Sequence, residues 1–201
     1  LHTTIGADHS ITAPLVRAIA KANLGKKIGI VQFDTHLDMR DFSGGRTNGS
    51  PIRQLVEENY VDGLHVYNIG LHGFYNAPSL IEAATKHRIN MITLKQMRKN
   101  GPSETIAYVF EQLQKEVDLV YVTVDMDVLD VAYAPGVPSA TPGGMRTDEL
   151  FDLLFEVGKH PVVGIDFVCI DPLRDVAMQT VKATSYAYFT FIASTYLHQL
   201  K

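Results

Sequence analysis

Apolar, β-branched runs alternate along this chain with stretches whose apolar positions recur every three or four residues. Thr3-Thr4-Ile5 reads as the end of a strand. Residues 11–23 carry Leu15, Ala18, Ile19 and Ala22 at helical spacing, with Pro14 tolerable only in the first turn. Residues 27–33 form the continuous apolar run expected of a strand buried on both faces. The same pattern predicts strands over 65–71, 91–94, 119–124 and 162–168. It predicts helices over 51–59, 79–87, 103–117 with Ser103 as N-cap, 147–158 behind a capping Thr147, and 177–200. Strands alternating with helices in this way give βαβ units and a mainly parallel sheet. There is no internal repeat and no linker, so residues 1–201 read as one α/β domain.

Two long segments, 40–50 and 129–145, are rich in Gly and Pro and fit no element. Such loops inside α/β domains are commonly functional. Each follows a cluster of chemically active residues. The clusters are His9 in Gly6-Ala7-Asp8-His9-Ser10, then Asp34, His36 and Asp38, then Asp125 and Asp127. Each sits where an apolar run gives way to a polar turn. In an open parallel sheet, such strand tips converge on one crevice, and i, i+2 spacing in extended backbone puts the side chains on one side. Asp at a strand tip can also do no more than cap the next helix. Four carboxylates and two imidazoles in one place instead call for cations between them. Two divalent ions balance the charge of Asp34, Asp38, Asp125 and Asp127, so the pattern predicts a two-metal hydrolytic centre.

Composition narrows the picture. The chain is 46% hydrophobic and 20% charged with a net charge of −4, and its basic residues are dispersed. Neither a nucleic-acid surface nor a membrane-binding basic patch is indicated, and no run approaches the ~20 apolar residues of a membrane span. One cysteine, Cys169, excludes an intrachain disulfide and fits a cytoplasmic setting. The first residue is Leu1 rather than Met, and His9 follows almost at once. An N-terminal portion of the fold is therefore expected to be missing.

Gly-x-Asp-His-Ser, Asp-x-His-x-Asp and Asp125-Met126-Asp127-Val128-Leu129-Asp130, with the Pro-Gly turns that follow, resemble the ureohydrolase family of arginases, agmatinases and formiminoglutamases. The resemblance covers essentially the whole chain. It implies a three-layer α/β/α fold, two Mn²⁺ ions and assembly into homo-oligomers. Carried over, His9, Asp34, Asp38 and Asp125 would hold one ion, and Asp34, His36, Asp125 and Asp127 the other. Asp38 would relay a proton to the leaving amine. Asp38-Met39-Arg40 and Thr47-Asn48-Gly49-Ser50-Pro51 are similar to the formiminoglutamase branch. A guanidinium at Arg40 suits a substrate carboxylate, which it can grip with two parallel hydrogen bonds.

Asn48 would stand beside that substrate, and Asn48 and Asn76 could equally be turn residues bonding nearby backbone. His72 replaces a usual Arg, and Thr123 a family Ser. Cys169 stands where the family's Glu contacts the amidine, so a neutral thiol would replace an anion there. The expected reaction is hydrolysis of formiminoglutamate to glutamate and formamide. An agmatinase or guanidino-acid hydrolase is the alternative, and a catalytically weak metal-binding homologue is an alternative of another class. A mononuclear zinc deacetylase would use only Asp34, His36 and Asp127 and would leave His9, Asp38 and Asp125 unexplained.

Overall fold

The computed structural model describes residues 1–6 and 8–199, so Ala7 of the first cluster and Leu200 of the last expected helix lie outside the described residues. Among the described residues, β1 (His2–Ile5), β2 (Ile28–Phe33), β3 (Val66–Leu71), β4 (Asn90–Thr93), β5 (Leu119–Asp125) and β6 (Gly164–Val168) make one sheet. Its order is β1-β6-β5-β2-β3-β4, and every neighbouring pair is parallel. The helices are α1 (Thr12–Ala22), α2 (Pro51–Glu57), α3 (Pro78–Lys86), α4 (Leu94–Asn100), α5 (Pro102–Glu116), α6 (Thr147–Gly158) and α7 (Gln179–Gln199). The strands lie where the apolar runs put them, shifted by a residue or two at their ends.

The period-2 alternation of strand side chains divides the core into two halves. Val31, Phe33, Ile69, Val122, Val124, Ile165 and Phe167 pack with α4, α5, α6 and α7. Ile28, Ile30, Val66 and Tyr121 point the other way and pack with α1, α2 and α3. This is the three-layer α/β/α arrangement expected, with apolar strands covered on both faces.

Three local expectations are corrected. The helix α4 was not anticipated. Its start is a capping box, in which Thr93 Oγ1 accepts from the Gln96 amide at 3.2 Å and Gln96 Oε1 accepts from the Thr93 amide at 2.8 Å. Ser103 is not the N-cap of α5. Gly101, at φ +96°, ends α4 and caps α5, and Pro102 pre-sets the first helical turn. Thr147 is the first residue of α6 rather than its cap; Arg146 precedes it, and its amide donates to Glu149 Oε2 at 2.8 Å.

Among the described residues no helix is long and apolar enough to cross a membrane. The α4–α6 side is tied by a charged pair, in which Arg98 Nε and Nη2 donate to the two oxygens of buried Glu149 at 2.8 and 3.0 Å. Burial alone would raise the Glu149 pKa, but Arg98 and the Arg146 amide outweigh it and hold it below the usual range. Arg98→Met is expected to cost about 1–3 kcal/mol by removing two charged donors from that carboxylate and leaving it to Arg146. A depressed pKa stabilises fully above the unfolded-state value and loses its effect as pH falls through the folded one. The gap between parent and variant midpoints in urea titrations should therefore be wide at neutral pH and close below the ordinary glutamate range.

Candidate metal centre

Chain order fixes where a crevice can form. From β2 the chain proceeds through β3 and β4 on one side, then returns to β5 on the other side of β2. The carboxyl ends of β2 and β5 thus flank the point where strand order reverses, the usual ligand crevice of open α/β sheets. Phe33 and Val124 are the last register pair there, and Asp34 and Asp125 follow directly. Asp125 ends β5, and its Oδ1 accepts the Asp127 amide at 2.9 Å, which starts a short 3₁₀ turn. Asp34 Oδ1 does the same for the His36 amide at 2.6 Å. His9 arrives from a 3₁₀ turn beyond β1 that Asp8 caps.

The structure brings all six expected ligands together. His9 Nδ1 lies 3.3 Å from Asp34 Oδ2, 2.8 Å from Asp38 Oδ2 and 3.2 Å from Asp125 Oδ2. His36 Nδ1 lies 2.9 Å from Asp127 Oδ2 and 3.5 Å from Asp34 Oδ1. Two donor groups result, His9 with Asp34 and Asp125, and Asp34 with His36 and Asp127; within each, one atom per residue falls inside 4.8 Å of the others. Asp34 belongs to both and offers one oxygen to each side. Asp38 joins the first group through His9 and takes a left-handed backbone, φ 51°. Asp tolerates this conformation better than most residues.

Burial makes the cluster electrostatically demanding. Asp34, Asp38, Asp125 and Asp127 are each at most 7% exposed, and buried carboxylates need partners. Burial disfavours charge on His9, yet Asp38, Asp125 and Asp34 hold its pKa well above normal. Burial likewise opposes charge on His36, while Asp127 and Asp34 push it up to about 11. Burial and the charge of Asp34 push Asp38 up to about 6 against the pull of His9. Asp127 is raised by burial and by Asp125 and Asp34, whereas Asp34, between two imidazoles, is lowered despite its burial. His9 Nδ1 and Asp38 Oδ2 are buried and, although close, are not aligned for a hydrogen bond with each other or with any other group among the described residues. Orphaned lone pairs converging with carboxylate oxygens fit divalent cations.

Several supporting residues escaped the sequence reading. Two register positions below the donors, on the same face, Thr4, Asp166, Thr123, Gln32 and Asn68 pair across five adjacent strands. Gln32 Nε2 donates to Asp34 Oδ2 at 2.6 Å, Asn68 Nδ2 donates to the His36 carbonyl at 2.5 Å, and Thr123 Oγ1 meets His9 Nε2 at 2.9 Å. The signal was present: each is a polar residue in a strand otherwise apolar. Gln32 and Thr123 stand two places before Asp34 and Asp125 and so on the same face.

Both long loops line the cleft above the donors, where Arg40, Asn48, Gly49, Ser139 and Cys169 join His36, Asp38, Asp125 and Asp127. Arg40 lies against Gly49, whose absent Cβ would stand 2.7 Å from Arg40 Cδ. Among the described residues no carboxylate pairs with the Arg40 guanidinium. Cys169, in left-handed backbone at φ 66°, donates from Sγ to Asp125 Oδ2 at 2.8 Å. Burial and the neighbouring Asp125 push its thiol pKa up. It also packs on the core, so it both fills apolar space and faces the cleft. Asn76 is a backbone bridge rather than a local turn residue. Its Oδ1 accepts the Leu37 amide at 3.0 Å, and its Nδ2 donates to the Thr35 carbonyl at 2.9 Å. His72 supports the same loop, since its carbonyl accepts Thr35 Oγ1 at 3.0 Å.

A parallel α/β/α fold with a carboxylate–imidazole cluster at the switch of strand order defines a class, and comparison with known proteins places the chain within it. The Arginase family model matches residues 1–194, and the chain belongs to that family. It is 37% identical over 190 residues to the formimidoylglutamase of Halalkalibacterium halodurans, an alignment covering 94% of this chain and 59% of that protein. The formimidoylglutamase structure from Bacillus subtilis superposes with a TM-score of 0.92 at 34% identity, covering 97% of this chain and 61% of that one. Trypanosoma cruzi formiminoglutamase with Mn²⁺ superposes at 0.86 with 27% identity, covering 96% and 64%. The chain thus spans about 60% of the relatives it matches.

The geometry makes Asn76 the clamp of the loop bearing His36. Asn76→Ala should expose two backbone groups at a cost of about 1–3 kcal/mol. Faster hydrogen exchange at the Leu37 amide, with core amides of β2 and β5 unchanged, is the expected result.

Proposed function

We propose that the protein is a binuclear-metal hydrolase of linear amidine carbon–nitrogen bonds, and that its substrate is formiminoglutamate, converted with water to glutamate and formamide. One arrangement carries this reading: two donor groups joined at Asp34 form the floor of a cleft whose rim holds the guanidinium of Arg40, which no carboxylate among the described residues pairs. The similarity to two formimidoylglutamases supports it. We assign His9, Asp34, Asp38 and Asp125 to one ion and Asp34, His36, Asp125 and Asp127 to the other. Oxygen-rich sites that include imidazole suit Mn²⁺, the ion present in the Trypanosoma cruzi formiminoglutamase structure. The family resemblance adds homo-oligomeric assembly to the proposal, and the single cysteine a cytoplasmic location.

When bound, such an ion pair supplies Lewis acidity and a water acidic enough to act as nucleophile at neutral pH. The chain's own residues do the rest. Arg40 grips a substrate carboxylate through parallel hydrogen bonds, and Asn48 beside it offers both a donor and an acceptor. These contacts fix the amidine over the floor, where orientation alone can supply much of the rate. Asp38 holds the proton that passes to the leaving amine nitrogen as its bond to carbon breaks. A cationic agmatine tail would meet Arg40 unfavourably. A guanidino acid is the second reading, because its carboxylate suits Arg40 equally well. Cys169 offers an anion neither to its guanidinium nor to the formimino group, so the similarity to formimidoylglutamases is what favours formiminoglutamate.

The two ions are checked by metal analysis after equilibrium dialysis of the intact protein against Mn²⁺. The parent should hold two per chain, His36→Ala one, and Asp34→Ala neither at concentrations that fill the parent. Uptake of one ion by the parent, unaffected by either change, would refute the binuclear assignment. Steady-state kinetics check Arg40. Arg40→Ala should lower kcat/KM for formiminoglutamate by about 1.5–3 kcal/mol, about 10- to 100-fold, while leaving Mn²⁺ content unchanged.

A further inference from the structure

Beneath the donors lies a second carboxylate, Asp166 on β6, in register with Thr123 on β5 and fully buried. Its surroundings are unlike those of the upper cluster. Tyr121 Oη and Thr12 Oγ1 donate to Oδ2 at 2.7 and 2.8 Å, and Thr123 Oγ1 donates to Oδ1 at 2.5 Å. Burial raises the pKa of Asp166, and His9 nearby with the three hydroxyl donors opposes that rise by favouring the ionised, acceptor-only form.

The proton count on Thr123 then has a consequence for His9. Thr123 Oγ1 touches Asp166 Oδ1 and, at 2.9 Å, His9 Nε2. A hydroxyl carries one proton, and a carboxylate cannot supply another. Thr123 gives its proton to Asp166 and accepts from His9, so the hydrogen of His9 sits on Nε2. Thr12 Oγ1, 3.3 Å from Thr123 Oγ1, has also committed its proton to Asp166 and does not alter this count. In the neutral ring that a cation requires, the other nitrogen, Nδ1, then offers its lone pair on the side of Asp34, Asp38 and Asp125.

We propose that Asp166 is a positioning residue that acts through Thr123 to fix His9 in the tautomer and ring orientation whose Nδ1 binds a divalent cation together with Asp34 and Asp125. The proposal rests on the metal reading above and assigns Asp166 no contact with substrate. Its effect is confined to the ion held by His9. The ion held by Asp34, His36 and Asp127 stands outside the relay.

The test is Mn²⁺ titration of the intact protein, with free ion read by electron paramagnetic resonance, for Thr123→Ser, Thr123→Val, Asp166→Asn and the Thr123→Val/Asp166→Asn double variant. Thr123→Ser keeps the hydroxyl and should bind both ions as the parent does. Thr123→Val and Asp166→Asn should each weaken one ion by about 10- to 100-fold and spare the other. The double variant should lose no more than Thr123→Val alone, because one relay is cut twice. Lowered thermal midpoints with both affinities intact would show a merely structural role and overturn the proposal. Histidine ¹H–¹⁵N spectra of the Zn²⁺-loaded parent read the tautomer without any substitution: a His9 ring protonated at Nε2 supports the relay, and one protonated at Nδ1 overturns it. A parent that takes up no Mn²⁺ removes the binuclear reading and this proposal together, whereas unaltered variants remove the proposal alone.

Discussion

Everything around the crevice answers one constraint: carboxylates gathered in a dry place must be neutralised or supplied with hydrogen bonds. Ionised carboxylates buried without partners are prohibitive. The protein meets the constraint in two different ways on two adjacent levels. Asp166, on the lower level, receives three hydroxyl donors and has no need of a cation. On the upper level, Asp34, Asp38, Asp125 and Asp127 share two imidazoles, a few backbone amides, Gln32 and the Cys169 thiol, and Asp38 Oδ2 receives no hydrogen bond among the described residues. Proton-hungry imidazoles show the same shortage, since the local field draws positive charge onto His9 and His36 against the cost of burial. A level short of positive charge, resting on one that is fully supplied, is what a cation site should look like.

Sheet geometry explains how so many polar groups reach one place without disturbing the core. The face of β2 and β5 that packs on α4 to α7 stays apolar to its end, through Phe33 and Val124. The opposite face is apolar at Ile28, Ile30 and Tyr121 and turns polar at Gln32 and Thr123, one step before the donors. Because side chains alternate, this change of character costs the other face nothing. The parallel register then aligns the polar positions of neighbouring strands, so a row of isolated substitutions becomes a continuous platform. A slip of one residue in β5 would send Thr123 and Asp125 into the apolar half, which ties strand pairing to the chemistry.

The strands and the donors were legible because their signals are local: an apolar run, then Asp or His at alternate positions. The helix α4 was missed because it begins at Leu94, directly after β4, where the apolar run reads as the strand's end, although its capping box was readable in Thr93 and Gln96. Ser103 and Thr147 misled because each is a good capping residue, while the actual boundaries follow from Gly101 with Pro102 and from the Arg146 amide bonded to Glu149. Asn76 could not be placed from sequence, since its partners lie 39 and 41 residues away. The platform of Gln32, Asn68, Thr123 and Asp166 was half legible. The residues stand out within their strands, but that they share one row depends on strand order, which no local pattern contains.

Reaction class and substrate class are written into different parts of the fold. The donors stand on strand tips or one turn beyond them, fixed by sheet register and by side chains packed on both faces. Asp34 and Asp125 cannot drift without loss of the sheet, and Asn76 clamps the loop that carries His36. Arg40, Asn48 and Ser139 stand instead on the two long loops, and Arg40 is held there by its own amide, which donates to the Gly49 carbonyl at 2.9 Å. Loops on a rigid scaffold accept substitution at little energetic cost. A change in what the cleft recognises therefore needs only a few loop residues, whereas a change in the chemistry would have to rebuild the polar row and every hydrogen bond beneath it. Cys169 is the exception that couples the two: it sits directly after β6, at a backbone angle few residues accept, with its thiol on Asp125. Substitution there acts on a donor and on the substrate wall at once, so Cys169 is the position where specificity and metal chemistry cannot be altered separately.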